Sequence, residues 1–282
     1  MKNSAYYKTK RVTINLLIHL FLISVAVTCV YPLLWMVSSS LKTQQSIFKD
    51  MSLIPKSFHF QNYYLAWMEG GFGRYFLNSI FYTASVVLGI VIVASLAAYA
   101  FSRLHFPGKN ILFYMFMAAM MIPIPGSFVA LYVLLNKLHL RNTPSGYILA
   151  MINVGLSTSI FLLKTFFDKM PKELEDAARI DGCSKLGIWW NVALPLAKPV
   201  LAVVVVFNAL NVWNEYILAL IIFDSRQFMP LQVALQTFQG EFVTNYPLLM
   251  AGLTITALPI IIVYLLMQKY IVKGVTAGAI VG

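Results

Sequence analysis

Long apolar runs, each closed by a polar or charged segment, dominate this chain. Charge-free stretches at Val12–Leu41, Tyr75–Ser102, Asn110–Asn136, Asn142–Leu163 and Phe242–Gln268, and a sixth at Pro199–Phe223 broken only by Glu215, predict six helices. A helix rises about 1.5 Å per residue and needs about 20 apolar residues to cross the hydrocarbon core of a bilayer. The predicted spans are about 14–37, 75–101, 111–135, 145–167, 199–222 and 248–270, in one all-α integral membrane domain covering 1–282. Pro123 and Pro125 with Gly126 are expected to interrupt the third helix and Pro259 the sixth. Such breaks survive in lipid where neighbouring helices or water satisfy the freed backbone groups, although proline is also simply common in transmembrane helices.

Composition supports the membrane assignment and excludes other classes. Of 282 residues 60% are apolar and 11% charged, against about 45–50% and about 25% in soluble domains. The net charge of +11 would elsewhere suggest nucleic acid, but a basic patch needs polar surface to sit on, so lipid headgroups are the expected partner and nucleic acid is not. With six spans both termini share a side, which holds 14 Lys and Arg against 7 on the other. The positive-inside rule then makes both termini cytoplasmic in a multi-pass plasma-membrane protein. The first run is too long for the apolar core of a secretory signal and reads as a retained anchor. Cys29 and Cys183 lie in unlike settings without metal-ligand spacing, and nothing links them.

The inner segment 168–198 between spans four and five is different in kind. It holds five of the chain's ten acids as well as five cations, so it is amphipathic rather than merely basic. Pro171 is placed as a first helical residue, with Glu173, Glu175 and Asp176 in the turns where the helix dipole favours negative charge. Leu174, Ala177, Ala178 and Asp181 follow at i, i+3, i+4 and i+7 as one narrow small-residue face, Gly182 allows a turn, and a second helix over about Ser184–Val192 ends before Leu194-Pro195. Small residues on an exposed face allow another protein's backbone to approach closely. A helix lying on lipid headgroups would instead carry Lys and Arg beside bulky apolar residues.

The run Glu175-Asp176-Ala177-Ala178-Arg179-Ile180-Asp181-Gly182, then nine residues, then Val192-Ala193-Leu194-Pro195, resembles the EAA signature of permease subunits of ABC importers. Asp176 and Val192 depart from it conservatively. The resemblance extends over PLLWMVSSSLK at 32–42, Asn62-Tyr63, Asn78-Ser79, LAAYAFSR at 96–103 with Phe106 and Gly108, WNEY at 213–216 and the C-terminal QKYIVKGVTAGAIVG. It points to the second membrane subunit of maltose-type carbohydrate importers, whose members often close with a Lys-Gly pair where this chain has Val281-Gly282. It implies ATPase coupling through Glu175, Asp176, Ala177, Ala178, Arg179, Asp181, Gly182, Leu194 and Pro195. The implied partners are a second related permease, two copies of an ATPase carrying ATP and Mg, and an extracytoplasmic solute-binding protein that delivers the carbohydrate. The tail 271–282 would lie against the ATPase pair.

No cofactor site is expected in the chain itself. Gly108-Lys109 is followed by Asn110 rather than Ser or Thr, and Arg103 stands where a P-loop needs its first glycine. The four histidines are scattered, and no nucleophile or metal motif accompanies them, so catalysis is not expected. In the fifth span Asn208, Asn211 and Glu215 fall at i, i+3 and i+7 on one face, with Trp213 and Asn214 beside them; Asn153 and Ser157 form a smaller pair in the fourth. Neutral amides and an indole suit a hydroxyl-rich, uncharged solute, and the same amides suit interhelical hydrogen bonds that only hold the bundle together. Glu215 fits an outer gate or a delivery-protein contact equally well. A self-contained secondary transporter or channel would need several ion-coupling acids in the bundle, where only Glu215 is available. Gly274, Gly278 and Gly282 lie beyond the last span, and the tail reads as flexible or closely packed.

Overall fold

A computed structural model of the chain describes residues 2–121, 126–240 and 244–279, with the side chains of 2–12, 119 and 269–279 outside the description. The described residues are mainly helical. The helices are α1 (Lys2–Ser40), α2 (Gln61–Glu69), α3 (Phe72–Arg103), α4 (Lys109–Met121), α5 (Ser127–Lys137), α6 (Pro144–Lys169), α7 (Glu173–Ile180), α8 (Lys185–Ile188), α9 (Leu194–Leu196), α10 (Lys198–Asn214), α11 (Ile217–Ile222), α12 (Leu231–Ala234) and α13 (Tyr246–Ala279). Four of them contain segments long and apolar enough to cross a membrane: Thr13–Ser40, Phe72–Arg103, Pro144–Lys169 and Tyr246–Gln268.

The remaining two predicted spans are each divided. The third becomes α4 and α5, with Pro123 and Pro125 outside the described residues and Gly126 opening α5 at φ +75°. The fifth becomes α10 and α11, parted at Glu215-Tyr216. Pro259, expected to interrupt the last span, instead lies inside a continuous α13. That helix also runs on through Ala279, so the tail, expected to be flexible or closely packed, is helical as far as it is described.

By packing, the chain divides into two units. The first comprises Met1–Gly70 and Leu235–Ile255. Within it α1 is exposed over residues 13–34, and its last turn is buried at Ser38, Ser39 and Ser40. Lys42 is 2% exposed and donates from Nζ to the carbonyls of Asp50 and, at 2.8 Å, Ser52, folding the loop after α1 back on itself. Asn62 of α2 donates to the carbonyls of Ser40 and Lys42 at 2.8 and 2.9 Å, and the Tyr63 hydroxyl meets Ser40 Oγ at 2.7 Å. Two separated sequence pieces, Ser38–Lys42 and Asn62-Tyr63, thus satisfy each other's polar groups.

The second unit comprises Gly71–Ala234 and Thr256–Gly282. Its axis is α3, which packs most extensively on α6, with α10 lying against both. Val86, Ile90, Ala94 and Ala98, at four-residue spacing on α3, are buried in that seam. Association in lipid relies on close packing of small residues, because lipid tails are as apolar as leucine. Gly155 of α6 shows how close: a Cβ there would lie 2.2 Å from Asn208 Oδ1 of α10 and 2.4 Å from Ile90 Cδ1 of α3. Toward the start of α3, Asn78 donates to the carbonyls of Gln227 and Met229, Ser79 Oγ accepts from the Leu231 N–H, and Tyr82 donates to Phe228 O. These bonds strap the irregular segment 226–231 to the helix.

Gly155→Leu is expected to lower the unfolding free energy of the purified protein by about 1–3 kcal/mol or more, since the junction between three helices has no room for a side chain. Thermal unfolding in detergent measures this, and an unchanged midpoint would show that the helices do not meet so tightly there.

Candidate functional site

The segment 168–198 folds as the sequence predicts in outline and differs in detail. Helix α7 starts at Glu173, after Pro171 rather than on it, and runs to Ile180 with Asp181 as its C-cap. Gly182 follows with φ +84°, a left-handed conformation that glycine adopts without a Cβ clash. Ser184 Oγ accepts from the Gly187 N–H at 3.1 Å, capping α8. The expected stop before Leu194-Pro195 is absent. A π-helical turn at Trp189–Ala193 connects α8 to α9, and Pro195 sits in the first turn of α9, where its missing N–H costs little. The segment Lys185–Leu196 then meets α10 at an 80° bend.

The predicted small-residue face is split by burial. Ala178 is 8% exposed and Glu175 4%, so both point into the chain's own bundle. Leu174, Asp176, Ala177, Arg179, Asp181 and Gly182 are exposed, as is Pro195, while Leu194 is half-buried. Ile180 is 88% exposed, Leu186 66% and Trp190 63%, so bulky apolar side chains stand out from a largely polar hairpin. The predicted face did not include them. For Ile180 the available signal was an isoleucine between Arg179 and Asp181 in an alanine-rich turn.

The base of the hairpin is held by Arg103, which in the sequence ends the LAAYAFSR run and breaks the P-loop pattern. This last residue of α3 places Nε 2.9 Å from Glu175 Oε1, with side-chain exposures of 7% and 5%. The approach has ion-pair distance without hydrogen-bond geometry. The guanidinium Nη2 donates to the carbonyls of Phe167 and Met170 at the C-terminal end of α6. A cation there complements the partial negative charge at the ends of both α3 and α6, and Glu175 complements the start of α7. Beside it, Ser102 donates to Asp168 Oδ1 at 2.6 Å, Lys164 pairs with Asp168 at 2.7 Å, and Lys109 donates to the carbonyls of Ser102 and Leu104. On the outer side of α7, Arg179 pairs with Asp176 at 2.9 Å in a solvent-exposed contact worth little.

The polar residues of the fifth span do not share one face. Asn208 is buried and donates to Ser159 Oγ of α6 at 3.0 Å and to Val204 O at 2.8 Å, the first of which is an interhelical bond. Trp213 is buried as well, donating to Thr256 O at 3.0 Å and meeting Phe76 edge-on at 5.8 Å, so its ring is not open for stacking on a solute. Asn211 and Asn214 are exposed, as is Asn153 of α6, with Ser157 half-buried. Glu215 has left the helix: its backbone is extended at φ −68°, ψ 132°. Its carboxylate accepts from the N–H groups of Leu218 at 2.6 Å and Ala219 at 3.0 Å, and from the Tyr147 hydroxyl at 3.4 Å. The free donors at the start of α11 thus satisfy the one acid within the span.

Packed apolar helices, four of them long enough to cross a membrane, with an exposed helical hairpin on a charged base, have the architecture of a multi-pass membrane protein. Residues 89–277 match the family described as the binding-protein-dependent transport system inner membrane component, and the chain belongs to that family. It is 36% identical over 265 residues to the probable ABC transporter permease protein YurM of Bacillus subtilis, covering 94% of this chain and 87% of that one. It is 31% identical to the arabinooligosaccharides transport system permease protein AraQ of Halalkalibacterium halodurans, covering 92% and 93%. Among solved structures, a bacterial ABC transporter involved in import of the acidic polysaccharide alginate has a chain matching with TM-score 0.81 at 25% identity, over 91% of this chain and 95% of that one. The protein is a multi-pass permease subunit of an ABC importer.

Glu215→Ala removes the acceptor for two N–H groups and is expected to cost about 1–2 kcal/mol of stability, with Glu215→Gln costing less because one oxygen remains. Unfolding in detergent separates the two, and equal losses would show that the charge rather than the capping matters. Asn208→Ala should cost about 0.6–1.7 kcal/mol, the range for interhelical bonds in membranes, and leave the KM for uptake unchanged. A raised KM in transport assays would instead return Asn208 to the solute path.

Proposed function

We propose that this chain is the second permease of an ATP-driven carbohydrate importer. It pairs with a related permease to form the translocation path and couples to two copies of a separate ATPase that bind ATP and Mg. An extracytoplasmic solute-binding protein delivers the substrate. The chain crosses the plasma membrane six times with both termini in the cytoplasm, in keeping with 14 Lys and Arg on that side against 7 on the other. The carbohydrate assignment rests on relatives with sugar-transport names. Besides AraQ, the melibiose/raffinose/stachyose import permease protein MelC of Bacillus subtilis is 30% identical over 264 residues. Exposed Asn153, Asn211 and Asn214 offer donors and acceptors suited to hydroxyl-rich solutes.

The observation that carries the coupling role is the division of α7 into two sides. Glu175 and Ala178 anchor it inward, leaving Asp176, Ala177, Ile180 and Asp181 outward beside the Gly182 turn. An exposed isoleucine among small and acidic residues suits insertion into a cleft of a soluble partner.

Gly182→Asp tests this. Among the described residues no atom lies within 4 Å of a Cβ at this position, and Asp tolerates left-handed backbone better than most residues, so the chain should fold and reach the membrane. A carboxylate in the docking turn should abolish most uptake while membrane abundance stays normal. Wild-type uptake by that variant would remove the docking assignment.

A further inference from the structure

We infer that Arg103 is the joint through which movement of the α7 hairpin reaches the membrane bundle, a positioning role that rests on the docking function proposed above. Three elements converge on this one guanidinium: it terminates α3, pairs with Glu175 in the first turn of α7, and donates to Phe167 O and Met170 O where α6 ends. α7 otherwise packs chiefly on α8 and the π-helical turn, and the charged pair ties it to α3. The tie is protected from water at 7% and 5% side-chain exposure, and low local dielectric strengthens it.

Its position is fixed from behind as well as in front. Lys109 holds the carbonyls of Ser102 and Leu104 on either side of Arg103, and Ser102 reaches Asp168 on α6. A rigid planar fork that ends α3, is hydrogen-bonded to the end of α6 and is ion-paired with the hairpin carries displacement of any one to the other two. α3 and α6 form the most extensive helix pair in the bundle, so a push or pull on α7 is delivered to its central seam. Lysine has a point charge on a flexible stem and cannot hold all three partners in one fixed geometry.

The test uses the assembled importer in native membranes and proteoliposomes, with Arg103→Lys, Arg103→Gln, Glu175→Gln and the double variant Arg103→Met/Glu175→Leu. The double variant leaves no orphan charge, and apolar replacement of a buried pair is commonly neutral for folding. Each variant carries Ala177→Cys with a photoreactive crosslinker to report docking, in a chain whose Cys29 and Cys183 are replaced. With charge-assisted bonds lost, uptake at equal membrane abundance should fall on the order of tenfold or more. ATP hydrolysis should stop responding to the loaded solute-binding protein, and the crosslink from position 177 to the ATPase should persist.

Coupled uptake at wild-type level in Arg103→Lys and Arg103→Gln would overturn the joint while leaving docking intact. So would uptake restored in the double variant, which would mean that only burial of the site matters. If no variant accumulates in the membrane, the pair is a folding requirement and the transmission role falls. A missing crosslink from position 177 in the chain with native Arg103 and Glu175 would instead defeat the docking reading itself.

Discussion

A buried guanidinium shared by the ends of two long helices and the start of a short one is the constraint on which the hairpin and its base depend. Taking Arg103 and Glu175 out of water is expensive, and the cost is offset only because each meets a counter-charge or a helix terminus of the right sign. This arrangement explains why an eight-residue helix is present at all. Alone, so short a segment would not hold its first turn, because nucleation fixes several residues for one hydrogen bond. Anchored through Glu175 and packed through Ala178, it does.

The same matching of polar groups recurs elsewhere in the second unit. Asn78, Ser79 and Tyr82 satisfy the backbone of segment 226–231, and Glu215 satisfies the start of α11. Asn142, itself at φ 55°, accepts from the N–H groups of Asp224 and Ser225. Irregular backbone beside a membrane needs such partners, since every unpaired N–H or carbonyl is costly away from water. Several polar residues in these apolar runs are accounted for by this demand. Asn208 and Trp213, which look like solute ligands in sequence, are bonded within the bundle as well, to Ser159 and to the Thr256 carbonyl.

Much of this was legible in the chain. Charge-free runs located the four long apolar helices to within a few residues, because the signal of length and apolarity needs no tertiary context. The hairpin was legible through Gly182 and the dipole-matched acids, which are local features. Burial within the hairpin was not: helical spacing places Ala177 and Ala178 side by side, and only the packing of α7 on its neighbours decides that one faces in and the other out. Arg103 was hidden for a related reason. Its partners Phe167, Met170 and Glu175 are all distant in the chain, so no local pattern marks it. The break at Glu215 escaped because helical periodicity assumes an unbroken helix, and the carboxylate that would have ridden on its face instead caps the next one.

Through Arg103 and Glu175, α7 is anchored to the ends of α3 and α6. The exposed face of the hairpin is thus a product of the packing behind it, and its geometry is only as fixed as the junction of α3 and α6 on which it rests.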